Sequence, residues 1–173
     1  PKSGVDPPIE DGFFYDFAIE RPFTPEDLDK IEQKMKDLAS ENIPFEREEI
    51  PKESAVARFR DLGQPFKQEL VEEKGGEVVS CYRLGSFYDF CEGPHVPSSG
   101  VIKAIKVLGS SSAYWKGDER NSPMQRIYAT TFYDQKALAE HLRRIEEAKK
   151  RDHRKLGRDL DLFVIRPEAP GQV

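Results

Sequence analysis

An α+β fold is what this sequence predicts: a mixed, largely antiparallel sheet with packed helices, followed by a long C-terminal helix. Three observations predict it. Strand-like and helix-like segments are interspersed without the regular alternation that builds a doubly wound sheet. Eleven Phe and six Tyr in 173 residues can anchor a core, although charged residues make up 34% of the chain. The C-terminal stretch carries helically spaced apolar residues in a strongly charged context.

The elements are taken in chain order. Phe13 to Ile19 is aromatic-rich, comes after a turn at Asp11-Gly12, and reads as a strand. Thr24-Pro25-Glu26-Asp27 opens a helix: Thr24 caps, Pro25 suits the first helical position, and the acidic pair complements the helix dipole. Leu28, Ile31, Met35 and Leu38 then give one buried stripe, and Asn42 and Pro44 end the helix. Phe45 to Ile50 is a strand. Lys52 to Leu62 is a short helix with Val56, Phe59 and Leu62 inward, broken by Gly63 and Pro65. Phe66 to Val71 and Val78 to Leu84 read as two strands joined at Gly75-Gly76. Phe87 to Cys91 is a short strand, and Glu92 to Gly100 a loop rich in Gly, Pro and Ser. Ile102 to Leu108, Ser112 to Trp115 and Gln125 to Phe132 are further strands. Asp134 caps a helix running to about Leu162, marked by Leu138, Leu142, Ile145 and Leu156. The domain reading is 1–133 for the main domain and 134–173 for the long helix and a connecting segment.

The net charge of -5 gives no global electrostatic case for nucleic acid. Charge is uneven, however: Arg143 to Arg158 holds eight basic and three acidic residues. That helix is either a local footprint for RNA phosphates or a solvated face. Cys81 and Cys91 make no disulfide framework, so a reducing, cytoplasmic compartment is expected. No apolar run approaches the roughly 20 residues that span a bilayer, so no membrane partner is expected. The chain starts at Pro1 and stops on Arg-Pro-Glu-Ala-Pro-Gly-Gln-Val; both ends read as cut.

Residues 89 to 95 read Asp-Phe-Cys-Glu-Gly-Pro-His. Cys91 and His95, four apart, can share a metal or cooperate in proton transfer. They form only half a zinc site; Cys81 would be a third ligand if its strand paired beside Cys91. The plain alternative is a loop His and a structural Cys. Lys67 either faces a pocket, where it can hold an oxyanion, or faces solvent from its strand. Asp89, between Tyr88 and Phe90, calls for a partner, because unpaired burial is costly. That partner is a substrate ammonium or an arginine. His141 and His153 are assigned to a solvated helix face. Tyr114, Trp115 and Tyr128 read as core aromatics rather than base-stacking platforms.

Five segments in register carry a resemblance. They are Pro8-Ile9-Glu10-Asp11-Gly12-Phe13-Phe14-Tyr15-Asp16, then Asp89 to Val96, then Ala113-Tyr114-Trp115-Lys116-Gly117-Asp118. Gln125-Arg126-Ile127-Tyr128 and the basic block from Glu146 to Gly157 complete the set. From about Pro8 to the C-terminus the chain resembles the second N-terminal domain of bacterial-type threonyl-tRNA synthetases, a domain shared with alanyl-tRNA synthetases. The Arg-Asp-His-Arg-Lys block resembles the threonyl enzyme's linker helix.

The resemblance implies hydrolytic editing of seryl-tRNA within an enzyme that charges threonine-specific tRNA. One methyl separates threonine from serine, worth about 1–3 kcal/mol of discrimination, which is too little for translation. The family's editing pocket falls here on Lys67, Asp89, Cys91 and His95. Asp89 would hold the substrate's amino group; Lys67 and His95 would orient water and stabilise charge; Cys91 would shape the pocket. Tyr15 is a further substrate contact. Arg143, Arg144, Lys149, Lys150 and Arg151 are the implied tRNA contacts. The family also uses a His-x-x-x-His pair upstream, which implies an incomplete pocket in this fragment. No cofactor is expected here; ATP, Mg2+ and Zn2+ would belong to a class II catalytic domain beyond Val173, and the parent would be a homodimer through other regions. Three positions depart from the family: Glu92 and Lys116 stand where arginine is usual, and Ala129 where glycine is. A free-standing deacylase and an editing-dead module that positions tRNA are the alternatives.

Overall fold

A computed structural model describes residues 2–3, 8–9 and 12–151. The chain divides into two compact units between Asp134 and Gln135. All strand pairings among the described residues of the first unit are antiparallel, and the architecture is α+β. There are two sheets rather than one. The larger holds β1 (Lys2–Ser3), β2 (Pro8–Ile9), β3 (Gly12–Ala18), β7 (Ala104–Tyr114) and β8 (Pro123–Phe132), with β1 and β2 both on β3 and the order β1-β3-β8-β7. The smaller runs β4 (Phe45–Pro51), β5 (Val78–Leu84), β6 (Phe87–Phe90).

Helix α1 (Pro25–Ser40) covers the larger sheet. Its start is a capping box: the Asp27 N–H donates to Thr24 Oγ1 at 3.3 Å, and the Thr24 N–H to Asp27 Oδ2 at 3.0 Å. Leu28, Ile31 and Met35 then pack with Phe13, Phe17 and Phe23 against Val107, Ile127 and Ala129. A register irregularity between Val107 and Gly109 interrupts β7. Glu32 of α1 ties itself to that spot, accepting from Lys106 Nζ at 2.9 Å and the Val107 N–H at 3.0 Å, and from Lys36 Nζ at 2.6 Å. Burial opposes ionisation of Glu32, but these donors outweigh it and pull its carboxyl down to about 2.

Helices α2 (Lys52–Asp61) and α3 (Pro65–Lys74) pack on one face of the smaller sheet. Ala55, Phe59 and Val71 meet Val79 and Cys81 there, flanked by Ile50, Tyr88 and Phe90. A second cluster of Leu70, Trp115 and Met124, with Ala18, Phe66 and Phe90, joins α3 to the larger sheet. Helix α3 thus contributes to two cores.

Several expectations need correcting. Phe66 to Val71 is helical, so Lys67 sits on α3 and not on a strand. Pro65 occupies a first-turn position, and Gln68, Glu69, Glu72 and Glu73 are good helix formers. The repeat Phe66–Leu70 and Lys67–Val71 is the helical i, i+4 spacing that a six-residue window hides. The two strands expected between Ile102 and Trp115 are one, β7 (Ala104–Tyr114), with a register irregularity between Val107 and Gly109. Leu62 is 51% exposed, because α2 ends at Asp61 and turns it outward. Tyr114 is exposed, while Trp115 is core. In the second unit, helix α4 (Gln135–Lys150) buries His141 with Leu138, three residues apart on one face. Leu156, His153 and the helix expected beyond Arg151 lie outside the described residues. No helix among the described residues is long and apolar enough to cross a membrane.

Replacing Glu32 with Gln should destabilise the protein by about 1–3 kcal/mol at neutral pH. The native carboxyl titrates below its ordinary 4.5, so the stabilisation is complete above that value and fades as pH falls towards 2. Urea unfolding of both proteins at pH 7 and pH 3 measures it: the gap between them should shrink at the lower pH.

Candidate active site

Strand alternation sets the site's layout. On the smaller sheet Ile50, Val79, Cys81, Tyr88 and Phe90 face the helices. Their neighbours Phe45, Tyr82, Asp89 and Cys91 therefore leave the opposite face, with Tyr82 directly across from Asp89. The Cys91 N–H donates to the Ser80 carbonyl at 3.2 Å, which continues this pairing one residue past β6.

Asp89 is the centre. Lys67 Nζ lies 2.7 Å from Oδ1 and donates to Oδ2 at 2.8 Å. Tyr15 from β3 donates its hydroxyl to Oδ2 at 2.9 Å, and the Phe90 N–H donates to Oδ1 at 2.7 Å. Lys67 is 3% exposed and Asp89 8%, so this is a buried ion pair. The Lys67 ammonium also sits 5.1 Å from the Tyr15 ring centre. A strand from each sheet and helix α3 thus converge on one carboxylate.

His95 comes directly after a cis Gly93-Pro94 peptide. Its ring stacks on Phe45 (centroids 5.0 Å, planes 20° apart) and on Tyr82 (4.2 Å, 49°). Burial lowers its pKa below the ordinary 6.5, and the nearby Asp89 charge offsets this in part. The shift favours the neutral imidazole, the form able to accept a proton. Cys91 Sγ accepts the Gly93 N–H at 3.4 Å.

The loop that carries Cys91 and His95 is stitched to the segment between α1 and β4. The Ser99 N–H donates to the Ile43 carbonyl at 2.8 Å and the Phe45 N–H to the Pro97 carbonyl at 3.0 Å. Ser99 Oγ donates to the Leu38 carbonyl and accepts from the Ile43 N–H. On the other side, the Trp115-Lys116 turn holds α3. Trp115 Nε1 donates to Glu69 at 3.1 Å, Lys116 bonds Glu69 and Glu73, and Phe66 packs on Trp115. Lys116 is thereby a support for the helix bearing Lys67.

The structure brings Lys67, Asp89 and Tyr15 into direct contact, places His95 within the field of Asp89, and sets Cys91 two residues along the same face. Among the described residues no group of three or more His, Cys, Asp or Glu can hold a metal. Cys81 pairs beside Cys91 in register but faces the helix side, where burial raises its pKa. Zinc takes four ligands, or three and water, so the Cys91–His95 half-site is not completed by the described residues. Glu92 shares a cleft of about 260 Å³ with Arg47 and Lys74. On α4, Arg143, Arg144, Lys149 and Lys150 are exposed, as is Arg151 just after it; Arg143 and Arg151 pair with Glu147, and Lys150 with Glu146. Sequence reading missed Phe45 and Tyr82. Their one signal was a matching strand parity, which needs the β4–β5 register to interpret.

Residues 79–128 match the family described as the threonyl and alanyl tRNA synthetase second additional domain. The chain is 54% identical over 170 residues to a threonine–tRNA ligase of Methylococcus capsulatus, covering 98% of this chain and 27% of the relative. Relatives of the same name from Laribacter hongkongensis and Clostridium tetani are 52% identical over 170 residues and 51% over 171. Each alignment again covers 98% of this chain and 27% of the relative. The chain therefore spans about a quarter of the length of the ligases it matches. The matched segment spans β5 from Val79, β6, the His95 loop, β7 and β8 as far as Tyr128; α3 and Tyr15 precede it.

Gly93 has φ +75°, and a Cβ there would lie 2.1 Å from the Tyr82 hydroxyl oxygen. Tyr82 is only 8% exposed and cannot swing away. Gly93→Ala should destabilise the protein by about 1–3 kcal/mol, read as a lowered urea midpoint.

Proposed function

We propose that this segment is the editing domain of a threonine–tRNA ligase and hydrolyses the ester of mischarged seryl-tRNA. The observation that carries the reading is the buried Lys67–Asp89–Tyr15 cluster beside His95, whose neutral form is favoured, inside a chain aligned over 98% of its length with ligases of that name. A buried carboxylate facing a general base is the arrangement needed to hold an aminoacyl group by its ammonium while water attacks its carbonyl.

Asp89 accepts from Lys67 at both oxygens, from Tyr15 and from the Phe90 N–H. That is about the four acceptor sites a carboxylate offers. A substrate ammonium therefore binds Asp89 by displacing Lys67. The freed lysine turns its charge to the carbonyl oxygen, which becomes an oxyanion as water adds. Neutral His95 takes the proton from the attacking water and returns it to the departing ribose oxygen, so serine and uncharged tRNA leave. Cys91 shapes the wall rather than attacking. The exposed Arg143, Arg144, Lys149, Lys150 and Arg151 supply phosphate contacts for the tRNA. No two of the three His in this chain are four apart. The family's His-x-x-x-His pair is accordingly assigned to a preceding segment, and ATP-dependent charging to a class II domain outside this chain.

In the full-length ligase, His95→Ala and Lys67→Ala should slow seryl-tRNA hydrolysis by roughly 10²- to 10³-fold. Threonine charging should stay within about twofold of the parent, since the altered groups belong to another site. Deacylation and charging assays on circular-dichroism-checked proteins measure both. Unchanged deacylation in both variants overturns the proposal.

A further inference from the structure

We propose that Phe45 and Tyr82 are positioning residues, forming a two-ring platform that fixes the orientation of His95. Both rings leave the same face of the smaller sheet, because Phe45 pairs with Leu84, two residues from Tyr82 on β5. His95 rests on both, at 5.0 and 4.2 Å between centroids. Exposed loops ordinarily leave such a ring several rotamers, and contact with two rings at once selects among them. The loop's backbone is also tied at both flanks, by the Cys91 N–H to Ser80 and by the Phe45 N–H to Pro97.

The second tie makes Phe45 both a loop anchor and a ring contact. Tyr82 likewise has two duties. Its hydroxyl fills the space beneath Gly93, two residues before His95, and Tyr82 lies directly across β5–β6 from Asp89. The platform therefore holds the imidazole within the field of Asp89, the carboxylate that holds the substrate in the editing reading. Stacked aromatic pairs orient rings as well as attract them. A base displaced by about an ångström can lose roughly 100-fold in rate.

The experiment uses the full-length ligase with isotope-labelled histidine, the His95 signal being assigned by its absence in His95→Gln. Tyr82→Leu keeps the site filled but removes the ring; Tyr82→Phe keeps the ring; Phe45→Leu is an independent second variant. The His95 ring resonances, measured at fixed pH, should move in both Leu variants and hold in Tyr82→Phe. Seryl-tRNA deacylation should lose roughly 10- to 100-fold in kcat in the Leu variants with KM nearly unchanged, and Tyr82→Phe should restore the rate. Resonances that stay put in both Leu variants overturn the platform, as does a Tyr82→Phe variant as slow as Tyr82→Leu. The kinetic arm rests on the editing reading and the spectral arm does not. Resonances that move while His95→Ala deacylates normally would uphold the platform and sink the editing function.

Discussion

The Asp89 carboxylate is buried, and a buried carboxylate must be satisfied or it will not ionise. Its donors come from far apart in the chain: Tyr15 on β3, Lys67 on α3, and the Phe90 N–H beside it. Each donor constrains an element. Tyr15 draws the larger sheet towards the smaller, and Lys67 fixes how α3 is rotated, since Leu70 and Val71 must meanwhile point into two cores. The Trp115-Lys116 turn then braces α3 from the other side through Glu69 and Glu73. The polar pocket and the apolar cores are therefore alternative faces of the same few residues.

Strand parity does the same work on β6. Tyr88 and Phe90 enter the core while Asp89 and Cys91 leave it. Tyr88 is itself polar at its tip, bonding Glu48 beneath the Arg58 guanidinium, and burial together with its bond to Cys81 raises its pKa. A one-residue slip would put Asp89 among Phe59 and Val71 and expose two aromatics, so the register is strongly specified.

Much of the fold and the site is legible in the residues. The Thr24-Pro25-Glu26-Asp27 start is local chemistry and needs no tertiary context, so α1 forms where it is expected, capping box included. The Lys67, Asp89, Cys91 and His95 assignment comes from family resemblance, and Asp89's need for a partner comes from its aromatic neighbours. The features that escape sequence reading are short or long-range. Phe66 to Val71 spans less than two helical turns, too little to separate a buried strand from a helix, and the polar stripe of Gln68, Glu69, Glu72 and Glu73 emerges only when the window extends past Val71. His141 sits among charges, yet its place three residues from Leu138 decides its burial. The Phe45–Tyr82 platform depends on the β4–β5 pairing that sets Phe45 opposite Leu84, which periodicity does not reveal.

The energetics bear on why the Lys67–Asp89 pair is there at all. Desolvating two charges costs several kcal/mol per ion, and their attraction in the interior repays this only with further hydrogen bonds. Asp89 has those bonds from Tyr15 and Phe90; Lys67 has mainly the carboxylate and the Tyr15 ring. Well-packed apolar side chains of similar volume would hold α3 against β6 at least as firmly, as replacements of buried pairs commonly do. Stability alone therefore does not account for the pair. In the editing reading, a carboxylate paired in a dry site with a cation that another ammonium can displace is a binding arrangement in which the protein supplies its own stand-in for the ligand.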